Sequence, residues 1–369
     1  MMERNPHPPA AASEDAPGQV RRPPPPRTTL GRRVREDRIA LSYILPIAAS
    51  APQLRALSGY LARIARTVDQ LVIVDGSPPA VFAEHQRRWG RFAVHLAPER
   101  ACRNGKVAGV LTGLAHARNE AVVIADDDVR YRLSELRAMA DRLTRHDVVR
   151  PQNFFRPLPW HARWDSGRSL LNRMMGGDWP GTLGVRRSAL VRAGGYSGGV
   201  LFENLEMVRT ICAAGGEESV AFDLFVARRP PTAGHFASQR IRQAYDEWAR
   251  PTRLACQLAI LPALAIGGWT AALVGAAAAI GLAEAGRRRA GAAAVFPASA
   301  ALWAPLWIAE RAITAWLALA NRLLFGGVRY RGGRLRDAAT PPRRLRLAVA
   351  APEGIVAPGA ADADRPDLR

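Results

Sequence analysis

A chain of 369 residues, nearly half of them hydrophobic, is too rich in apolar side chains to be disordered throughout and has room for one large or two medium domains. Its 52 Lys and Arg against 32 Asp and Glu give a formal charge of +20, which calls for an anionic partner: nucleic acid, an anionic membrane surface or a phosphorylated substrate. Cys102, Cys212 and Cys256 are odd in number and far apart, which supports neither a disulfide framework nor a zinc site and fits a reducing compartment.

Residues 1–38 are rich in Pro, Ala and Arg, include the run Pro23 to Pro26, and read as a disordered basic tail without the apolar stretch of a secretory signal. From Ile39 short apolar runs alternate with helical patterns. Ala40 to Leu45 reads as a strand, Leu54, Leu57, Leu61 and Ile64 as one helical face, and Leu71 to Val74 as a second strand. This is the βαβ rhythm of a parallel sheet. The second strand ends in Asp75-Gly76-Ser77, an acid at a turn, and Phe92 to Leu96 is a third strand candidate. Next, Val107, Val110, Leu111 and Leu114 mark a helix that leads to the apolar strand Ala121 to Ala125, capped by Asp126-Asp127-Asp128. Ligands bind at the carboxyl ends of strands in open α/β sheets, and clustered carboxylates repel one another unless a cation sits among them. Oxygen donors of this kind suit Mg²⁺ or Mn²⁺, whereas a solvated acidic turn is the plainer explanation.

Beyond the triplet a helix is expected with Ser134 as N-cap and Leu136, Met139, Ala140 and Leu143 on one face, then a short strand at Val148 and Val149. The segment from Arg150 to Trp179, broken by Pro and Trp, reads as a long binding loop, followed by a helix ending at Gly194-Gly195 and another opening near Leu201 to Glu206.

Asp75-Gly76-Ser77, Gly105-Lys106 opening a helix, Asp126-Asp127-Asp128 after a strand, Gly194-Gly195-Tyr196, Glu203-Asn204 before a helix and Gln239-Arg240-Ile241-Arg242 follow in one order. Together, over roughly Leu41 to Pro251, they resemble the family 2 glycosyltransferases of the GT-A fold, and most closely the membrane-associated subgroup of ceramide and hopanoid glycosyltransferases and cellulose synthases. The resemblance implies a Rossmann-like nucleotide-sugar-binding α/β domain. It assigns the donor to Asp75, Lys106, Asp126, Gln239 and Arg242, the divalent cation (Mn²⁺ or Mg²⁺) to Asp126 and Asp128, and the base that deprotonates the acceptor to the Glu203 region. His235 is a further candidate ligand, although a lone His is more often structural. The chain departs from the pattern at Asn204, where the family usually has the Asp that acts as base and where an amide cannot take a proton. Glu203 or Glu206 then takes that role, with Glu203 preferred because Glu206 would lie in the first turn of a helix beginning near Asn204, where the dipole favours the ionised form and lowers basicity. The Trp that closes the family's Gln-x-x-Arg-Trp motif is replaced by Gln243, with Trp248 nearby.

After Pro251 the chemistry stops. Leu254 to Ala283 carries no charged residue and is long enough to cross a hydrocarbon layer at about 20 residues per helix. Arg287-Arg288-Arg289 follow, then Ala290 to Ala309 is again uncharged and Ala312 to Ala320 extends the pattern. The expectation is residues 39–253 as the GT-A domain, 254–325 as transmembrane helices and 326–369 as a disordered Arg-rich tail. A buried helical hairpin is the soluble alternative. The Arg triplet and the Arg-rich tail both favour the cytoplasmic side, which two full spans would not allow, so part of 290–325 is a third span or an interfacial helix. The expected function is a multi-pass membrane enzyme with a cytoplasmic domain that moves a sugar from a nucleotide sugar to a lipid or envelope-glycan acceptor, with no nucleic-acid partner. The alternatives are an inactive relative that acts as scaffold or sugar-lipid binder, and a nucleic-acid-binding membrane protein, for which no motif is present.

Overall fold

A computed structural model describes residues 38–53, 56–100, 102–330 and 333–350. The basic tail expected over residues 1–38 lies outside them but for Arg38, as do Leu54 and the last part of the Arg-rich tail, 351–369.

The βαβ rhythm builds one eight-stranded sheet. In chain order its strands are β1 (Ile39–Ile47), β2 (Val68–Asp75), β3 (Val94–Leu96), β4 (Ala121–Ala125), β5 (Val129–Arg130), β6 (Val148–Phe155), β7 (Thr182–Arg186) and β8 (Glu218–Arg228), and their spatial order is β3-β2-β1-β4-β7-β6-β8-β5. β1 pairs in parallel with β2 and β4, and β2 with β3. Beyond β4 the sheet turns mixed, with β7 antiparallel to both β4 and β6. The change of direction comes beside the end of β4, where the acidic triplet sits.

Helices cover both faces. α1 (Ala56–Thr67) buries Leu57, Leu61 and Ile64 on one side, together with Trp89 at the end of α2 (Pro79–Trp89). On the other side α3 (Gly105–His116) buries Val107, Val110 and Leu114 against Ile44, Val72 and Ile124. α4 (Leu133–Leu143) buries Leu136, Met139 and Leu143 as expected, but it starts earlier than Ser134. Glu135 reaches back to accept from the Arg132 N–H at 2.8 Å, so the reciprocal carboxylate fixes the start and Ser134 is inside the first turn.

The segment expected as a loop from Arg150 to Trp179 holds the rest of β6 and α5 (Trp160–Met174). Its helical pattern escapes a search for apolar residues because the buried face carries Asp165, Asn172 and Arg173, each satisfied by a partner distant in sequence. Short helices α6 (Arg187–Arg192), α7 (Glu203–Ala213), α8 (Ala233–Ser238) and α9 (Arg240–Tyr245) complete the domain.

Residues 251–325 form α10 (Pro251–Arg288), two short 3₁₀ turns and α11 (Ala304–Phe325). Among the described residues, one helical run, Pro251–Ala294, is long and apolar enough to cross a membrane by length and composition. α11 instead lies against the domain: Ala304, Trp307, Arg311, Ala312, Ala315 and Ala318 are buried, and Glu310 takes hydrogen bonds from Trp164 and Arg240. The Arg-rich segment expected to be disordered from 326 is folded as far as 350. It forms the hairpin β9 (Val328–Tyr330) with β10 (Gly333–Leu335) and then α12 (Pro342–Ala350). Val328, Leu335, Ala338 and Leu345 are buried, although Leu347 is exposed, and these four anchor the segment to the domain.

Candidate active site

Four segments converge at the carboxyl end of β4. The Asp126 N–H donates to the Gly181 carbonyl at 2.8 Å just before β7, so the triplet starts from a fixed backbone. A Cβ at Gly181 would stand 2.6 Å from Asp126 Oδ2 and 2.9 Å from Arg228 Cζ, so a larger residue there would displace the ion pair. β5 then pairs Val129 with Arg228 of β8, which sets that arginine across from the acids. Arg228 Nε donates to Asp128 Oδ1 and Oδ2 at 2.8 and 2.7 Å, and Nη2 reaches Asp126 Oδ2 at 3.3 Å. Arg228 is the main residue the sequence reading missed, and only its strand-end position pairs it with the triplet.

Lys106 comes from the first turn of α3. Asn104 caps that helix by accepting the Lys106 N–H at 3.1 Å, and the same Oδ1 accepts from Tyr330 of β9 at 3.0 Å. The Lys106 ammonium lies 2.6 Å from Asp126 Oδ1 and 2.9 Å from Glu203 Oε1. Burial alone would lower its pKa, but the two carboxylates outweigh that and hold it above the ordinary lysine value. Burial and then repulsion from Asp126 raise Asp127, while burial raises Asp128 against the attraction of Arg228.

Two cavities meet at this ion pair. One, of about 480 Å³, is lined by Ile47, Val74, Gly76, Lys106, the triplet, Arg228 and His235. The other, of about 790 Å³, is lined by Lys106, Asp126, Glu203, Gln239, Arg242, Tyr330 and Arg334, with Asn321 and Phe325 of α11. Gln239 and Arg242 therefore belong to the second cavity; Arg242 donates to Gln239 Oε1 at 3.2 Å and lies over the Tyr330 ring. His235 sits exposed on α8 at the rim of the first. Tyr330 and Arg334 come from the segment expected to be a disordered tail, so the sequence reading left them out.

Two expected residues are placed differently. Asp75 is 1% exposed and lines neither cavity. Its carboxylate accepts from His85 Nδ1 at 2.6 Å, His95 Nε2 at 3.1 Å and the Ser77 N–H at 2.9 Å. Burial would raise its pKa, but the hydrogen bonds from His95, Ser77 and His85 hold it well below the usual carboxylate range. Asp75, His85 and His95 are grouped closely enough to hold a metal ion. Against that use, His85 Nε2 already accepts the Gln53 N–H at 2.9 Å, which leaves Nδ1 as the donor to Asp75 and no free nitrogen lone pair. The cluster shapes the turn that carries Gly76 into the first cavity.

Glu206, a candidate base, is fully buried, and its Oε2 accepts the Thr340 N–H at 2.8 Å. It points to the C-terminal segment just before α12 and lines neither cavity. Asn204 is also turned away: its Nδ2 donates to the Pro180 carbonyl at 2.9 Å. Glu203 alone of the three acid or amide positions reaches the site.

Residues 79–150, which include Lys106 and the triplet, match the model of glycosyl transferase family 21. No curated protein matches the chain by sequence. Among solved structures it is similar to the mannosyltransferase PcManGT from Pyrobaculum calidifontis in complex with GDP-Man and Mn²⁺, at 20% identity over 76% of this chain and 87% of that one, TM-score 0.46. It is similar to S. aureus TarS 1-349 in complex with UDP-GlcNAc at 16% identity over 54% and 61%, TM-score 0.38. A third likeness, at 17% identity over 56% and 77% with TM-score 0.35, is to glucosyl-3-phosphoglycerate synthase from Mycobacterium tuberculosis in complex with Mn²⁺, UDP and glucosyl-3-phosphoglycerate. The matched stretch is thus similar to a glycosyltransferase family, the class of enzyme to which the motifs also point.

Proposed function

We propose that the chain is a metal-dependent, inverting glycosyltransferase that moves a sugar from a nucleotide-diphosphate donor to a lipid acceptor, held at the cytoplasmic face of a membrane. The observation that carries this reading is the Lys106 ammonium between Asp126 and Glu203, at the seam of the two cavities. The donor takes the first cavity and the acceptor hydroxyl the second, so the bond that breaks and the bond that forms lie on opposite sides of the sugar.

A divalent cation fits the donor set: three carboxylates share one cavity, and burial and mutual repulsion disfavour the charge on Asp127 and Asp128. Asp126 and Asp128 would hold it, with His235 at the rim, and when bound it supplies Lewis-acid stabilisation of the departing diphosphate. Lys106 and Arg228 give fixed positive charge to the same oxygens. Glu203 accepts the acceptor's proton as the hydroxyl oxygen attacks the anomeric carbon, and attack opposite the leaving group inverts that carbon.

A lipid acceptor is favoured by the second cavity's wall. Phe325 lines it, and the adjoining Leu323 and Leu324 are 72% and 73% exposed, an apolar surface continuous with the cavity mouth. The anionic cytoplasmic leaflet accounts for the +20 charge. The inactive-scaffold alternative rested on Asn204, whose side chain supports the Pro180 turn and does not face the cavities.

Calorimetric titration of a panel of nucleotide sugars, with and without Mn²⁺, tests the reading. One donor should bind in a Mn²⁺-dependent way, and Asp128→Asn should abolish both that binding and transfer. Unchanged affinity in the variant would overturn the assignment.

A further inference from the structure

α10 doubles back on itself. Arg253 near its start donates through Nη1 to Asn172 Oδ1 at 3.0 Å, and Gly286 near its end accepts from Arg173 Nε at 2.9 Å. Asn172 and Arg173 are neighbours on α5, whereas a straight helix at 1.5 Å per residue would hold the two ends about 50 Å apart. The break is at Gly268, with φ 55° and ψ −146°, a conformation that glycine alone adopts without strain. The arms, 251–267 and 269–288, form a hairpin with its feet on α5. A Cβ at Gly286 would run into the Leu170 carbonyl, so the returning arm is seated as closely as backbone allows.

The far end of the hairpin has no protein around it. No residue from 258 to 278 is buried, and Ile266, Trp269, Leu273 and Val274 are 89%, 84%, 68% and 64% exposed. Such an apolar surface is costly in water and calls for a covering. About ten residues of each arm project, or about 15 Å, which is half of the roughly 30 Å hydrocarbon layer. Charges resume where the projection ends. Arg287 and Arg288 pair with Glu284 at one foot, and Arg253 stands at the other. Beside the hairpin, α11 exposes Ile313, Trp316 and Leu317, and the Trp316 N–H donates to the Leu258 carbonyl at 3.2 Å, level with the start of the projection. That is the depth at which tryptophan favours a membrane interface.

We propose that α10 is a re-entrant anchor that enters the hydrocarbon of one leaflet and returns to the face on which the catalytic domain lies. The occupant is a single leaflet, whose anionic head groups meet the arginines at the feet. Helical bonding continues on both sides of one non-helical residue, which limits the backbone groups left bare in lipid. The inference rests on the membrane reading above and adds its topology. It removes the conflict over spans, because the Arg287 to Arg289 triplet and the folded Arg-rich segment after Phe325 lie on the same side as the site.

The test uses the full-length chain in sealed vesicles with the catalytic domain outward, labelled with a membrane-impermeant maleimide and read site by site by mass spectrometry. Native Cys212, exposed on α7, reports the side of the domain. Arg288→Cys should label from the same face and to the same extent as Cys212. Trp269→Cys should stay unlabelled until detergent is added. Labelling of Arg288→Cys only after detergent would mean that the first arm crosses, and labelling of Trp269→Cys in intact vesicles would mean that the tip is in water. Protection of Trp269→Cys that persists in detergent, in a protein that sediments as a dimer, would make the occupant a second copy. Each of these overturns the proposal. Trypsin added to wild-type vesicles needs no substitution: cleavage after Arg288 should come from the domain's face. Failure of the transfer assay would leave this pattern untouched, and a wild-type chain that does not sediment with vesicles would defeat the membrane reading and the anchor together.

Discussion

Asn204→Asp restores the residue that the glycosyltransferase resemblance leads one to expect, and the structure makes it a damaging change. Asn204 Nδ2 donates to the Pro180 carbonyl at 2.9 Å in a buried setting. A carboxylate has no proton to give, so two acceptors would face each other and the Pro180 carbonyl would lose its partner, at a cost of about 1–3 kcal/mol. The N-terminal turn of α7 favours a negative charge by at most about 1 kcal/mol and offsets part of this. At about 2–4 °C per kcal/mol for a domain of this size, a net cost of about 1–2 kcal/mol should lower the melting temperature by roughly 2–8 °C at pH 7.5. The sign of the pH dependence follows. The folded state raises the pKa of the new carboxyl above about 3.9, so the variant is closest to wild type at low pH, where the protonated acid donates to Pro180, and the deficit grows as pH rises through the folded value. Because Pro180 precedes the Gly181 that holds the Asp126 backbone, donor affinity should weaken as well. Melting curves at pH 5 and pH 7.5 with donor titrations check this. Wild-type stability at pH 7.5, or a gain in transfer, would show that position 204 faces the reacting groups and that Glu203 is not the base.

Glu203→Gln should lower turnover by about two to four orders of magnitude with donor binding retained, measured as transfer rate against calorimetric affinity. Glu206→Gln should leave turnover unchanged, since its amide oxygen still accepts the Thr340 N–H. Burial raises the Glu206 pKa, so the wild type loses stability as pH rises through the folded value and the variant should lack that slope in melts between pH 4.5 and 8. Truncation after Pro251, attractive from the sequence as a route to a soluble domain, should give an aggregated product. It removes the partners of Asn172, Arg173 and Asn104, whereas a short turn in place of residues 261–275 should give a soluble chain that still binds donor, read by sedimentation and calorimetry.

The sequence was most legible where one signal served both local and global structure. β4 is legible to the residue because an apolar run ends at acids, and Lys106 and Asp126, which meet in the structure, stand at a helix start and a strand end that are themselves sequence signals. Legibility failed where buried positions are polar. α5 hides Asp165 and Arg173 against groups about 75 and 113 residues away, and nothing in its own spacing announces Arg240 or the Gly286 carbonyl. Asp75 was recognised as a strand-end acid, but that two histidines would enclose it depended on α2 and β3 closing over it. Arg228 illustrates a third kind of failure. It is an ordinary strand-end arginine until β5 pairs with β8 and sets it on the triplet.

The helices after Pro251 are part of the site as well as its support. Tyr330 bonds the same Asn104 oxygen that caps the Lys106 helix, and Phe325, two residues after exposed Leu323, walls the second cavity. Leu201 and Phe202 donate to the carbonyls of Asp337 and Ala338, which fixes the start of α7 and with it Glu203. A movement of α11 or the C-terminal hairpin would therefore shift Glu203 and the Lys106 ammonium together. If α11 rests its exposed Ile313 and Trp316 at the lipid surface, that surface fixes the height of the second cavity's mouth above the bilayer. An acceptor hydroxyl at head-group level then reaches Glu203 without leaving the leaflet, while a water-soluble acceptor gains nothing from the arrangement.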